Sequence, residues 1–453
     1  MNEMNPADQK QENVPYGGYH KTQIPEYDPT LTETGPGTQA GEYLRRFWHP
    51  VCMAEELTDV PRFLMIMGEE LVAFRDTEGR LGLLEAHCPH RGANLFFGRN
   101  EECGLRCVYH GWKFDVTGKA MELPNIPPGA RHHDTIRAKA YPTREWGDIV
   151  WAYMGPETED LPELPHLEFC TLDDEHRYVT KQRVDCNWAQ VMEGDLDTSH
   201  FSFLHMPAPK VASNENPDAP ADVRRLTWIR NDPMPKFTVL EHDLGFVVGG
   251  VRAGDEGENY WRITQYTLPA HGTGPSTFPG ETYFGFTLVP ITDDSCWMYC
   301  YGWNPERPIG AEERAKLLEG HGIIANTGAD YVALANRGND YLIDRQTQRN
   351  ATFTGIKGLA EQDLMIQESQ GKIFDRTREN LTATDAAVVR FRRLVMGAAE
   401  SLAKDGTEPA APRQHENYRV RPGSWIAGNN LGFDEVMLER FGDPLGRVVG
   451  RVE

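Results

Sequence analysis

The chain has 453 residues, with 46 Lys and Arg against 68 Asp and Glu, for a formal net charge of −22. That length allows two or three domains and a sizeable core. The acidic balance excludes a surface built to hold a phosphate backbone.

Residues 1 to 35 are polar and rich in Pro, Gly and Asn, and read as a tail or surface-wrapping arm. They open on MNEMNPADQK, which is no secretory signal. A run of about 18 apolar residues occurs nowhere, so no membrane span is expected and we place the protein in the cytoplasm. A short amphipathic helix is predicted at Gln39–Phe47. From Pro50 to Pro156 the pattern is short strands: FLMIMG, ELVAF and, after the turn DTEG, RLGLLEA. VYHGWKFDVTGKAMEL reads as a hairpin turning at Thr117–Gly118, and GDIVWAYMGP as a strand closed by Gly-Pro. Many short strands with Gly/Pro turns predict a small all-β domain. After the link PETEDLPELP, residues 180–205 read as containing a helical stretch. LGFVVGGVR, NYWRITQYTL, TYFGFTLVPI and CWMYCYGW read as longer strands. Helices are predicted near 311–324, 358–370 and 384–404, the last with capping-box spacing at Thr382 and Asp385. Residues 206–222 and 269–280 read as long loops. The fold class is therefore α+β: an arm over 1–35, an all-β domain over 36–165, and an α+β domain with an antiparallel sheet and helices over 166–453.

The eight cysteines are too sparse for a disulfide scaffold, so clustered ones point to metal or redox chemistry. Cys88-x-His90 is followed, sixteen residues on, by Cys107-x-x-His110. Two cysteines and two histidines can close a tetrahedral zinc site. Here, however, each half supplies one of each. That suits a two-iron cluster with both thiolates on one iron and both imidazoles on the other. Cys103 reads as a spectator at a loop tip.

The second constellation is NWAQVMEGDLDTSHFSFLH. His200 and His205 stand five apart, below Glu193, Asp195 and Asp197. On one helix Glu193, Asp197 and His200 share a face, and His205 lies about 140° further round. The histidines converge only if the helix bends or ends between them, and Pro207 and Pro209 end it. Two histidines and a carboxylate leave open positions on an iron. Candidates for the carboxylate in GLAEQDLMIQESQG are Glu361, Asp363 and Glu368, and spacing does not choose among them.

The first stretch, with His-Arg-Gly after Cys88 and His-Gly-Trp at 110–112, resembles the Rieske [2Fe–2S] motif. Ala93 and Tyr109 stand where respiratory-chain Rieske proteins carry a disulfide staple, so it looks like the soluble, lower-potential type. With TGPGTQAGEYLRRFWHPV and DLMIQESQGKIFDRTRENLTATDAAVVRFRRL, residues 33–425 resemble the oxygenase α subunit of Rieske non-haem iron oxygenases. The likeness is to the branch of phthalate dioxygenase and aryl O-demethylases. That resemblance implies one Rieske cluster and one mononuclear Fe(II) per chain, with Asp363 as the iron carboxylate and Asp197 as the acid bridging the two centres. It implies electrons from NAD(P)H through a flavin/iron–sulfur reductase, O₂ as co-substrate, and a homotrimer or stacked trimers. The expected reaction is hydroxylation, dihydroxylation or O-demethylation of a carboxylated or phenolic aromatic. Arg224, Arg225, Arg230, Arg252 and Arg262 lie in the substrate half and are candidates to hold a carboxylate. The alternative is a Rieske electron carrier with a non-catalytic second domain, for which His200 and His205 would have no use.

Overall fold

Residues 28–127, 130–156, 158–208, 220–275 and 277–448 are described by the structure, a computed structural model. Residues 1–27 of the predicted arm and 209–219 of the first predicted loop lie outside it.

The first unit is built from hairpins. Strands Trp48–Met53, Ile149–Tyr153 and Thr143–Trp146 form one antiparallel sheet, and Arg62–Ile66, Glu69–Arg75 and Leu81–Glu85 a second. A four-stranded sheet follows: Arg99–Glu101, Gly104–Arg106, Lys113–Phe114 and Ala120–Glu122. Turn chemistry sets these registers. In DTEG the Asp76 carboxylate accepts from the backbone N–H groups of Glu78 and Arg80, at 3.0 and 2.8 Å. At Thr117–Gly118 the Asp115 carboxylate does the same for Thr117 and Lys119, and Gly118 takes φ +76. Val72, Phe74, Leu84, Leu105 and Phe114 pack in one buried cluster with Cys88 and Cys107.

The second unit centres on an eight-stranded antiparallel sheet. Its order is Arg177–Val184, Ser295–Trp303, Tyr283–Thr292, His271–Thr273, Glu258–Thr267, Gly245–Ala253, Lys236–His242, with Gly423–Gly428 also paired to Glu258–Thr267. The four predicted long strands are all present. The second predicted loop, 269–280, contains one strand of this sheet, His271–Thr273, paired on both sides.

Two predicted helices end early, and one region gains a strand. Residues 180–205 do contain a helix, but the region opens with a strand the sequence did not announce, because Arg177–Val184 pairs along its whole length with Ser295–Trp303. Sheet pairing overrides the helix propensity of Lys181, Gln182 and Arg183. The helix proper is Trp188–Leu196, capped by the Asn187 side chain on the Ala189 N–H at 3.1 Å. The 311–324 helix is Ala311–Leu318, stopped before Gly320 and Gly322, both at positive φ. Leu359–Ser369 and Ala386–Asp405 match their predictions, and Thr382 and Asp385 form the predicted capping box. The first helix is Gln39–Leu44, which packs with Pro29–Thr32 against Ala386–Asp405. No helix among the described residues is long and apolar enough to cross a membrane.

Two buried histidines flank the junction of the units. His49 Nε2 meets the Leu44 carbonyl at 2.7 Å and His271 Nδ1 the Thr287 hydroxyl at 2.7 Å; the other ring nitrogens are buried without hydrogen-bond partners. Burial pushes His49 down to about 4 and His271 to about 3, with His49 adding to the latter. Both stay neutral where an unfolded histidine protonates. Stability is therefore full above pH 6.5 and falls as the pH drops towards these values, by about 1.4 kcal/mol per pH unit per histidine. Denaturant midpoints at pH 7.5, 6.0 and 5.0 test this. The wild type should fall more steeply than His271→Asn; parallel curves would remove His271 from the account.

Candidate metal centres and cavity

The first centre sits on two equivalent turns. Gly92 N–H donates to the Cys88 carbonyl at 2.9 Å, and Gly111 N–H to the Cys107 carbonyl at 3.0 Å. Both glycines take positive φ, +69 and +75, which a side chain at either position would strain. A strand-like bond closes each turn: Cys88 N–H to Ala93, and Cys107 N–H to Trp112. The turns bring the rings of His90 and His110 to 4.4 Å, with Trp112 stacked on His90 at 4.3 Å. Burial raises the Cys88 thiol to about 11 despite N–H donors from His90 and Arg91, and the neighbouring Cys107 thiol pushes it further up. His90 Nδ1 is buried without a hydrogen-bond partner. Two adjacent thiols, paired imidazoles and an orphaned ring nitrogen fit the donor set of a [2Fe–2S] cluster. Among the described residues, only His200, His205 and Asp363 form a His/Cys/Asp/Glu group with ligand atoms within 4.8 Å of one another. All eight cysteines are free, and Cys103 sits on a turn at φ +63 where its N–H donates to Thr77.

The second centre forms just past a helix end. The helix stops at Leu196, before His200 rather than at Pro207, and Asp197 is already extended. Gly194 and two acids in the last turn oppose continuation. The Asp197 carboxylate turns back onto Ser199, accepting from its N–H at 2.7 Å and its hydroxyl at 2.5 Å. His200 then lies in a short 3₁₀ turn. Its Nε2 comes within 3.1 Å of His205 Nε2, and Asp363 Oδ1 lies 3.2 Å from His205 Nε2 and 3.7 Å from His200 Nε2. Three potential ligand atoms converge on one point, as a metal site requires. Gln362 Oε1 accepts from His205 Nδ1 at 2.8 Å, which leaves the Nε2 lone pair facing the centre. Burial lowers the His200 pKa against the opposing pull of Asp363, which favours the neutral imidazole that ligates a metal.

Geometry separates the three acids that spacing left open. Glu361 accepts from the Asn326 N–H, and Glu368 from Tyr341 and the Asp185 N–H; only Asp363 reaches the histidines. Glu193 does not share a face with the site, being paired with Arg376 and Arg392 at 2.9 and 2.7 Å. Asp197 Oδ2 lies 3.8 Å from His200 Nδ1, beyond a hydrogen bond but on the outer edge of that ring.

A cavity of ≈ 360 Å³ opens from the second centre, walled by Phe201, Leu226, Ile229, Phe284, Phe286 and Ile323. Of the five candidate arginines, Arg225 and Arg262 line it. Arg224 pairs with Asp255 and Arg225 with Glu281; Arg252 is buried beneath Thr198, and Arg230 is also engaged. Arg262 stacks on Phe201 at 3.9 Å, and its Nη2 is buried without a hydrogen-bond partner. One acid named in the sequence only as lying upstream of the histidines turns out to face the cavity. Asp195 lines the wall, its Oδ2 is buried and unpartnered, and burial, with Asp363 adding, holds its carboxyl well above the usual range. Its place on the helix face of Trp188, Val191 and Met192 was the available signal.

The family described as Rieske [2Fe-2S] domain matches residues 47–142, and that described as LigXa C-terminal domain like matches 152–417. The phthalate 4,5-dioxygenase oxygenase subunit of Pseudomonas putida is 36% identical over 388 residues, 83% of this chain and 85% of that one. The chain belongs to the oxygenase subunits of Rieske non-haem iron oxygenases. A second Rieske oxygenase relative, the 5,5'-dehydrodivanillate O-demethylase oxygenase subunit of Sphingobium sp. (strain NBRC 103272 / SYK-6), is 32% identical over 85% of this chain and 82% of its own. Dicamba monooxygenase bound to dicamba shares the fold at TM-score 0.53 and 18% identity, covering 80% of this chain and 99% of that one. Membership of this family sets aside the bare electron carrier and the zinc module.

Proposed function

We propose that Cys88, His90, Cys107 and His110 hold one [2Fe–2S] cluster, and that His200, His205 and Asp363 hold one mononuclear iron. The enzyme would draw electrons from NAD(P)H through a separate flavin/iron–sulfur reductase and oxygenate a carboxylated or phenolic aromatic. When bound, the cluster supplies single electrons and the iron supplies O₂ activation. The protein's own contribution is orientation and exclusion of water. Gln362 fixes the His205 tautomer, and its amide is anchored in turn on the Ile356 carbonyl at 2.8 Å. Phe201, Phe284 and Phe286 give a ring its apolar bed. In keeping with the family, we place the protein in the cytoplasm as a homotrimer or stacked trimers, with Asp197 facing the neighbouring subunit's cluster.

Arg262 carries the substrate reading. A fully buried guanidinium with an unpaired nitrogen, one aromatic ring away from the histidines, offers a carboxylate a partner, whereas Arg225, Arg307 and Lys316 on the same cavity are paired with Glu281, Glu313 and Glu312. The relatives named for phthalate and a divanillate agree with it. The test is a panel of aromatic acids and methoxyphenols, turned over with a surrogate reductase and read by product mass, beside titration of benzoate into wild type and Arg262→Met. Loss of a charge-assisted pair should weaken benzoate about tenfold to a hundredfold. Equal binding by the variant, or productive turnover of neutral hydrocarbons alone, would sink the reading.

A further inference from the structure

Thr198 is held on three sides. Its carbonyl accepts from Arg252 Nη2 at 2.8 Å, and its hydroxyl accepts from Arg262 Nε at 2.7 Å. Its methyl packs against Gly250, where a Cβ would stand 2.7 Å from it. Only 4% of the residue is exposed. It is also the residue after Asp197 and lies two before His200. Arg252 reaches the far side of the same turn, at the Ser202 hydroxyl 3.5 Å away, and is itself tied to the Asp232 carbonyl at 3.0 Å.

Arg262 therefore joins the cavity wall to the turn. Nη2 is the unpaired nitrogen of the cavity guanidinium, and Nε of the same planar group is bonded to the turn that carries Asp197 and His200. A guanidinium is rigid and planar, so a carboxylate that draws Nη2 moves Nε with it. The turn is buried and close-packed, so displacement of Thr198 passes along the backbone and is not absorbed by solvent. We propose that Thr198 is a positioning residue through which occupancy of the cavity at Arg262 is felt by Asp197 and His200. The inference rests on the reading of Arg262 as carboxylate anchor, and adds the route by which a bound acid readies the second centre. Occupied and empty cavities then differ in the Arg262–Thr198 bond, the differential interaction that coupling requires.

The test uses the metal-loaded protein as wild type, Thr198→Val and Thr198→Ser, with benzoate and phthalate as probes. Binding is measured by calorimetry, and the turn by hydrogen exchange of the amides of residues 197–203 with and without probe. In wild type and Thr198→Ser the probe should slow exchange there by about fivefold or more. In Thr198→Val it should bind with comparable affinity and leave exchange unchanged, and peroxide release per O₂ consumed should rise. A valine variant that loses iron is replaced by Thr198→Ala, judged by the same outcomes. Equal protection in the variant would overturn the coupling, as would loss of binding, which would reduce Thr198 to a prop for Arg262. Failure of both probes to bind wild type would instead remove the carboxylate anchor, and this inference with it.

Discussion

Asp363→Ala should abolish turnover and strip the mononuclear iron while leaving the visible absorption of the cluster intact. Among the described residues, Asp363 Oδ1 is the only carboxylate oxygen at both histidine nitrogens, 3.2 and 3.7 Å away. Glu361 and Glu368 are committed to backbone N–H groups and Tyr341 and cannot substitute without breaking those bonds. Loss of a partner outside the ligand shell already costs about 10–100-fold, so loss of the ligand should exceed that range. Iron analysis beside the absorption spectrum decides the matter. Full iron content in the variant would move the carboxylate role elsewhere.

Asp197→Asn should keep both metal contents and the subunit assembly, yet lose at least about a hundredfold in activity. Its Oδ1 holds Ser199, an acceptor role the asparagine oxygen can retain. Its Oδ2 lies on the outer edge of His200 without touching it, free to serve another group. What the substitution removes is charge at that second oxygen. The readout is recovery of the visible spectrum after chemical reduction, with substrate and O₂ added. Recovery at the wild-type rate would show that no electron path needs this carboxylate; loss of iron would make Asp197 a support for His200 alone.

These roles differ in how far the sequence announced them. Cys88 to Gly92 and Cys107 to Gly111 are each complete within five residues, so spacing and flanking glycines exposed both turns. His200 and His205 were legible for the same reason. Asp363 was not separable from Glu361 and Glu368, because the three share one helix and the choice depends on which side meets a segment some 160 residues earlier. The helix end at Leu196 was missed because the prolines downstream offered a stronger stop signal than Gly194 and its neighbouring acids. Lys181 illustrates why the strand Arg177–Val184 went unannounced. Its side chain is buried against Glu56 at 2.6 Å and over Trp297 at 4.5 Å, contacts invisible to local propensity. Arg262 stood out from the other arginines only once sheet register placed it under the Thr198 turn.

The packing of Pro29–Thr32 and Gln39–Leu44 on Ala386–Asp405 bears on how the polypeptide is made. Leu31, Tyr43 and Leu44 are fully buried, yet their partner helix leaves the ribosome some 350 residues later. Until then the nascent amino-terminal half carries a bare apolar face, a target for chaperones. An excised fragment ending near residue 165 would keep that face for good. It should gather into aggregates even if its iron–sulfur turns are correctly formed.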